Sequence, residues 1–442
     1  MNTVTIHTSC GTVEGISDGG VNKFLGIRYA TAKRWEYPKE VTHWEGVYKA
    51  YTFGAAPIQK RSYMDANSPK SHFHHEFMEG VNSTYDENCL FLNIWTPEKG
   101  ENCPVLVVLY GGGMVGGQSD EKALDGTEFA KRGVIVVTLN YRVNIFGFMA
   151  METLEDESGR SGNYGLYDQR TAFQWVKHNI SSFGGNPHKM TLIGQSAGAA
   201  CTANQIKSPL NKGVFQGAII QSSAGFTTVT KAKNNKEEVY KTWKAVYEQS
   251  GCKSVEEFKS LSTKQLFELW DEVSQGNFLP YAQIVKDGYF GTSDKNKPCN
   301  TNIICSLTSQ DVMPILFYWL CKLLAKKQWR YAKTYCYLFK RQLPGDALGA
   351  WHGSDLWYTY GTLDRCWRPF EEEDRILSNT MMEYLCNFIK TGNPNGEGLV
   401  SWTPYEKTKK QFMIFDVGEC CMKTPNLLRL LKDTLTYKGP RM

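Results

Sequence analysis

Two uninterrupted apolar runs constrain the fold of this chain more than any other feature. Val105–Tyr110 reads Val-Leu-Val-Val-Leu-Tyr and Val134–Leu139 reads Val-Ile-Val-Val-Thr-Leu. Neither alternates with polar residues, so each strand needs cover on both faces, as in a parallel sheet sandwiched by helices. The segment Leu166–Ile180 places Ala172, Trp175, Val176 and Ile180 on one side of a helix, and Gly184-Gly185 stops it. Met190–Gly194, Gly217–Gln221, Ile303–Ser306 and Tyr335–Phe339 read as further buried strands. This β/α alternation predicts an α/β fold with one central, twisted, mostly parallel sheet flanked by helices. Upstream, the short segments Val4–His7, Gly11–Gly15 and Phe24–Tyr29 predict a small N-terminal β-sheet. An irregular polar stretch from about Ala55 to Asn88 follows it. Asp374–Thr391 has the pattern of an amphipathic helix that ends before Gly392. No repeat or long linker divides the chain. Residues 1–442 are therefore expected to form one unit, with a charged helical cap or lid inserted at about 227–335.

Composition narrows the function. A hydrophobic fraction of 41% with 21% charged residues is that of a globular protein and excludes a disordered chain. The net charge of +5 is dispersed, apart from small clusters such as Lys407–Lys410, which argues against nucleic acid as a partner. The start, Met1–His7, alternates like a strand and lacks the basic and apolar regions of a secretory signal. The longest apolar run, Pro314–Leu324, contains Lys322 and is too short to span a bilayer, so no stable membrane insertion is expected. Thirteen irregularly spaced cysteines, two of them adjacent at Cys420 and Cys421, read as reduced thiols. Two N-x-S/T matches, at Asn82 and Asn179, carry little weight without an export signal. A cytoplasmic location is expected.

The sharpest chemical signal is Gly194-Gln195-Ser196-Ala197-Gly198, a G-x-S-x-G between a buried strand and an Ala-rich helix. Such a turn is strained and projects the serine hydroxyl above the sheet. Side chains at the flanking positions would collide in it, hence the glycines. The helix start adds a positive dipole end and a free N–H at Ala197. In a chain with 40 glycines the bare pattern is weak; its placement gives it force. Gly111-Gly112-Gly113 directly follows the Val105–Tyr110 strand, where bare backbone can approach an acyl carbonyl and offer N–H groups to an oxyanion. A phosphate cradle is the rival reading, but neither a following Lys-Ser/Thr nor a G-x-G-x-x-G spacing is present.

A serine nucleophile needs a base and an acid, which in this arrangement follow it as acid and then histidine. Of eight histidines, His352 in Gly349-Ala350-Trp351-His352-Gly353 lies after the Tyr335–Phe339 strand and fits the base. Asp311, just past Ile303–Ser306, fits the acid; Asp287 is its main rival, and Asp355 lies very close to His352 along the chain. His72, His74 and His75 cluster with Glu76, but one short loop without a distant fourth ligand seldom holds a metal. A wall near the site entrance is the better reading, and no metal site is expected.

Several further motifs fall in a fixed order. They are Gly26-Ile27-Arg28-Tyr29-Ala30, Glu87-Asn88-Cys89-Leu90-Phe91-Leu92-Asn93-Ile94-Trp95, and Asn140-Tyr141-Arg142 with Phe146-Gly147-Phe148. Gly162–Gln169, Phe183–Pro187, His352–Leu363 and Gly392-Asn393-Pro394-Asn395 follow. Together, and nearly end to end, they resemble the type-B carboxylesterase family of carboxylesterases, cholinesterases and related lipases. The resemblance implies the α/β-hydrolase fold and a serine carboxylesterase with Ser196 as nucleophile, His352 as base and Asp311 as acid. It implies an oxyanion hole of Gly112, Gly113 and Ala197, a structural ion pair of Arg34 and Glu87, and Ser222 as a serine near the acid. Met114, Gln195 and Phe226 are candidates for the substrate pocket. No cofactor is implied, only a small-molecule ester and water. A lipase acting at lipid interfaces, suggested by Pro314–Leu324 beside Lys326 and Lys327, and a non-catalytic cholinesterase-like module are the alternatives.

This chain departs from the family pattern at four points. Asp311 stands where glutamate is usual, so its backbone must come closer to His352 or the acid lies elsewhere. Cys89 has no upstream partner in Gly54-Ala55-Ala56-Pro57. Gln195 replaces a glutamate beside the nucleophile. Only 41 positions separate Asp311 from His352, which predicts a reduced helical cover. With Gln195 neutral and no tryptophan between Tyr51 and Glu87, no strong preference for choline esters is expected.

Overall fold

A computed structural model describes residues 2–65, 67–223, 236–277, 279–291, 299–406, 408–437 and 439–440. Among the described residues the two apolar runs fall in neighbouring strands of a 13-stranded sheet. In chain order its strands are β1 (Asn2–Thr8), β2 (Gly11–Asp18), β3 (Val21–Arg28), β6 (Val47–Lys49), β7 (Phe91–Pro97), β8 (Cys103–Leu109) and β9 (Ile135–Leu139). After them come β10 (Gly185–Gln195), β11 (Phe215–Gln221), β12 (Asn302–Thr308), β13 (Thr334–Phe339), β14 (Phe412–Asp416) and β15 (Glu419–Lys423). The short strands β4 (Ala30–Thr31) and β5 (Lys39–Glu40) pair separately. Across the sheet the order is β1-β2-β3-β7-β9-β8-β10-β11-β12-β13-β14-β15, with β6 beside β2. From β9 to β14 every neighbouring pair is parallel. All five residues of β9 are buried, as are the last five of β8.

The strands of the predicted small N-terminal β-sheet form the antiparallel end of this sheet, because β3 pairs with β7 and β7 with β9. Strand β7 is invisible to periodicity because Asn93 sits inside it. That buried side chain accepts from the Gly26 N–H at 2.8 Å and donates to the hydroxyls of Ser119 and Thr138, so a polar residue fits a two-sided core.

The order β9-β8-β10 contains the sheet's switch point. The connection leaving β8 runs to one side and the connection leaving β10 to the other. Right-handed crossovers then send the following segments to opposite faces and open a crevice at the carboxyl ends of β8 and β10. The helices α1 (His72–Phe77), α2 (Thr127–Lys131), α3 (Asn144–Phe148), α4 (Tyr164–Asn179) and α5 (Ala197–Gln205) belong to this half.

Between β11 and β12 the described residues hold α6 (Lys236–Gln249), α7 (Val255–Ser260) and α8 (Thr263–Ser274). Their buried faces carry Trp243, Phe258 and Trp270. Arg34 clamps this layer to the N-terminal region. Its guanidinium donates to the carbonyls of Lys259 and Leu261 at 2.7 and 2.6 Å and to Glu87 Oε2 at 2.9 Å, and Thr263 Oγ1 donates to Glu87 Oε1 at 2.6 Å. Later come α9 (Pro314–Gln328), α10 (Leu356–Tyr360), α11 (Glu372–Thr391) and α12 (Leu427–Leu435). Gly392, at φ 76°, ends α11 where expected. Helix α9 buries Phe317, Tyr318 and Cys321 against the sheet. Among the described residues no helix is long and apolar enough to cross a membrane.

Replacing Arg34 by alanine removes its four hydrogen bonds, to Glu87, Lys259 and Leu261, at once. A loss of about 1–3 kcal/mol is expected, because hydrogen bonds of charged groups are the strong ones and this pair is only partly exposed. Urea unfolding measures the loss, and limited proteolysis should cut first within 236–274.

Candidate active site

Ser196 lies between the end of β10 and the start of α5, at φ 55° and ψ −122°. No ordinary L-residue rests there without strain, so neighbours must hold it. Its N–H donates to the Gln221 carbonyl of β11 at 2.9 Å. A Cβ on Gly194 would stand 2.3 Å from the Gly198 carbonyl, and one on Gly198 only 2.1 Å from the Leu109 carbonyl oxygen. The two glycines of the motif are therefore required by backbone packed against backbone.

His352 Nε2 is 2.8 Å from Ser196 Oγ, and His352 Nδ1 is 2.5 Å from Asp311 Oδ1. All three residues are buried. Asp311 also accepts from the N–H groups of Thr308 and Val312, at 3.2 and 2.9 Å. Its short side chain reaches because the two loops are paired through their backbones. Gln310 and Trp351 form a parallel β-bridge. The Gln310 N–H donates to the Ala350 carbonyl at 3.1 Å, and the Ala350 N–H donates to Gln310 Oε1 at 2.7 Å. Gly349, at φ 76°, permits the approach: a Cβ there would lie 1.6 Å from Gln310 Oε1. Asp287 lies elsewhere, accepting from Asn163 Nδ2 and the Tyr167 hydroxyl, each at 3.0 Å. Asp355 is buried beneath the site and accepts from the Tyr337 hydroxyl at 2.8 Å and Gln221 Nε2 at 3.2 Å.

Ser196 and His352 open into a cavity of about 570 Å³ in the crevice, with Gly111, Gly112 and Gly113 along one side. Among the described residues the N–H groups of Gly112 and Gly113 have no acceptor, and Ala197 begins α5, where the first N–H groups have no intrahelical partner. Gln195 lines the cavity, its amide nitrogen 3.2 Å from His352 Nε2. Met114 is buried outside the cavity lining, between Gly113 and Val115, which do line it. Phe226 lies outside the described residues. The Ser222 hydroxyl is buried without a hydrogen-bond partner among the described residues, while the Ser222 N–H donates to the Ser306 carbonyl. Arg34 and Glu87 form the anticipated ion pair. The histidine cluster lies on α1, capped by Ser71, inside the stretch read as irregular. Glu76 is turned away from the cavity, accepting from Arg368, Trp357 and Trp367, whereas Phe73, His74 and Phe77 form the wall. Cys89 is buried and unpaired, and burial raises its thiol pKa.

A sequence model of the Carboxylesterase family matches residues 2–322 and 285–430. The chain belongs to the carboxylesterase family. Bile salt-activated lipase of Bos taurus is 30% identical over 91% of this chain and 82% of its own length. Para-nitrobenzyl esterase of Bacillus subtilis is 28% identical over 93% of this chain and 94% of its own. Fumonisin B1 esterase of Sphingopyxis macrogoltabida is 40% identical over a shorter match, 49% of this chain and 39% of that protein. A solved PNB esterase structure superposes with a TM-score of 0.82 at 25% identity, covering 97% of this chain and 99% of the other. The protein is thus a carboxylic ester hydrolase of the α/β-hydrolase fold.

Three features of this esterase escaped the sequence. The Gln310–Trp351 bridge has no signal beyond Gly349 itself. The wall built by α1 depends on the packing of His72, Phe73 and Phe77 around buried Trp351. The third is the charge state of Asp355, whose carboxyl pKa burial raises to about 6 against a usual 3.8, with the nearby Asp311 adding to the rise. A raised carboxyl pKa means that the folded state holds the proton more tightly than the unfolded chain. The ionised form therefore destabilises the fold above about pH 6, and the penalty disappears as pH falls toward 4. Its full size is about 3 kcal/mol. The melting temperature of Asp355→Asn relative to wild type should accordingly rise between pH 5 and pH 8. A difference independent of pH would show that Asp355 does not carry this penalty.

Proposed function

We propose that the chain is one catalytic unit that hydrolyses carboxylic esters by two-step acyl transfer at Ser196. The observation that carries this reading is the continuous chain of contacts from the Ser196 hydroxyl through His352 to Asp311, 2.8 and 2.5 Å long, at the floor of a cavity. Ser196 Oγ attacks the ester carbonyl while His352 Nε2 takes its proton. Asp311 keeps the imidazole oriented through Nδ1 and stabilises the imidazolium that forms. The N–H groups of Gly112, Gly113 and Ala197 hold the oxyanion, a role worth about 10²–10³ in turnover per donor in comparable sites. His352 then protonates the leaving alkoxide, and water, deprotonated by His352, releases the acid from Ser196. The unpaired buried thiols, Cys89 among them, support a reducing compartment as its place of work.

A fluorophosphonate probe tests the nucleophile. Wild type should be labelled at residue 196 and Ser196→Ala should not; an unlabelled wild type inert toward short acyl esters ends the proposal. For the acid, Asp311→Asn should lower kcat by about 10⁴, because the imidazole loses the partner that fixes its tautomer. Asp287→Asn, remote from His352, should leave kcat within a few-fold. The opposite pattern would reassign the acid.

Interfacial lipase action is a second reading, favoured by one surface feature. Trp319, Leu323 and Trp329 on and just after α9, and Leu428, Leu431 and Leu435 on α12, are exposed. Lys322 stacks on the Trp319 ring at 4.3 Å. An aromatic and basic face of this kind suits a lipid surface. Activity that jumps once a short-chain triglyceride exceeds its solubility would support that reading, and a smooth saturation curve would remove it.

A further inference from the structure

The cavity above Ser196 has an apolar floor and a one-sided rim. Phe77, Leu124, Leu356 and Tyr360 line it below, whereas Lys60, Arg61, Lys70 and His74 line it towards solvent. The only carboxylate among the described lining residues is Glu121. It lies 3.5 Å from Arg61, with which it forms an ion pair, and burial raises its pKa. Lys60 and Lys70 are exposed at the rim with no ion pair among the described residues. They come from different segments, Lys60 from the short helical turn at Lys60–Tyr63 and Lys70 from the approach to α1, so the fold rather than the sequence brings them together. His74 lies in the same field: burial lowers its pKa, and Arg61 and Lys70 lower it further. The chain's net charge is only +5 over 442 residues, and a share of that excess is aimed at the mouth of the site.

An uncharged ester has no use for two unpaired ammonium groups and a guanidinium with donors to spare. We infer that this esterase takes amphiphilic anionic esters, in which an aliphatic body lies on the apolar floor and a carboxylate remote from the scissile carbonyl is received by Lys60, Arg61 and Lys70. Half-esters of aliphatic dicarboxylic acids are the simplest members of this class. The inference rests on Ser196 as the nucleophile. Because the cations stand at the solvent edge, they also draw the anion in from solution, an effect that salt screens. The rim charges act on substrate choice and leave the bond-making steps at Ser196 as already described.

Two isosteric pairs test it. In the first the carboxylate is on the acyl side: para-nitrophenyl hemiadipate against the para-nitrophenyl ester of adipic monoamide. In the second it is on the alcohol side: acetoxyhexanoate against acetoxyhexanamide. In at least one pair, wild type at low ionic strength should favour the anion by about tenfold in kcat/KM, the sum of two or three partly exposed ion pairs. The ratio should fall toward one in high salt and in Lys60→Gln/Lys70→Gln. The salt dependence is read on the wild-type chain, so the test survives a variant that fails to fold. Turnover of both pairs with ratios of one or below, or a ratio unmoved by salt, overturns the charge preference alone. No turnover of any ester together with no phosphonate adduct at residue 196 overturns the nucleophile, and this inference with it.

Discussion

The site depends on a serine held where serine does not choose to lie. With φ 55° and ψ −122°, Ser196 is strained, and the strain is tolerated because backbone surrounds it on all sides. Strand β11 binds its N–H, the Gly198 carbonyl lies over Gly194, and the Leu109 carbonyl lies over Gly198. The last contact matters twice. It fixes the turn, and it sets the end of β8 directly beside Ser196, so that the glycine loop after β8 borders the same cavity. Ser196 and the N–H groups of the glycine loop are therefore positioned by one packing event at the sheet's switch point.

His352 and Asp311 are positioned by a second event, farther along the sheet. Strands β12 and β13 are parallel neighbours, and their carboxyl-end loops carry Asp311 and His352. A carboxylate one methylene shorter than glutamate reaches the imidazole only if those loops close up. The Gln310–Trp351 bridge and the bare Gly349 close them. Trp351 is in turn buried under α1 and Arg368, so the wall of the cavity and the position of His352 share one support. Binding and chemistry are mechanically joined there. Asp355 lies in the same buried layer, where an ionised carboxylate is disfavoured.

Charge is distributed by depth. Behind the cavity lining two buried carboxylates are matched, Asp311 facing an imidazole and two N–H groups, and Glu76 facing Arg368 and two indoles. Towards solvent the lining cations outnumber the one lining carboxylate, Glu121. Buried ions must be paired because desolvation is expensive, whereas exposed lysines are free to wait for a ligand. That difference separates the groups that hold the site together from those that meet what enters it.

The sequence by itself determined what depends on local covalent structure. Two-sided apolar runs gave β8 and β9, a helical period gave α4 and α11, and glycines on both sides of Ser196 marked a turn in which a Cβ cannot fit. Serine, acid and histidine in that chain order pointed to Ser196 and His352 and left Asp311 and Asp287 in competition. Only the tertiary structure decided which carboxylate His352 meets, because that depends on the pairing of two loops 40 residues apart. Strand β7, with Asn93 satisfied inside the core, and the meeting of Lys60, Arg61 and Lys70 with the cavity of Ser196 and His352 were hidden for the same reason. A hydrogen bond that excuses a buried polar group, or a charge left unpaired at a rim, is a relation between distant segments, and no local pattern of residues encodes it.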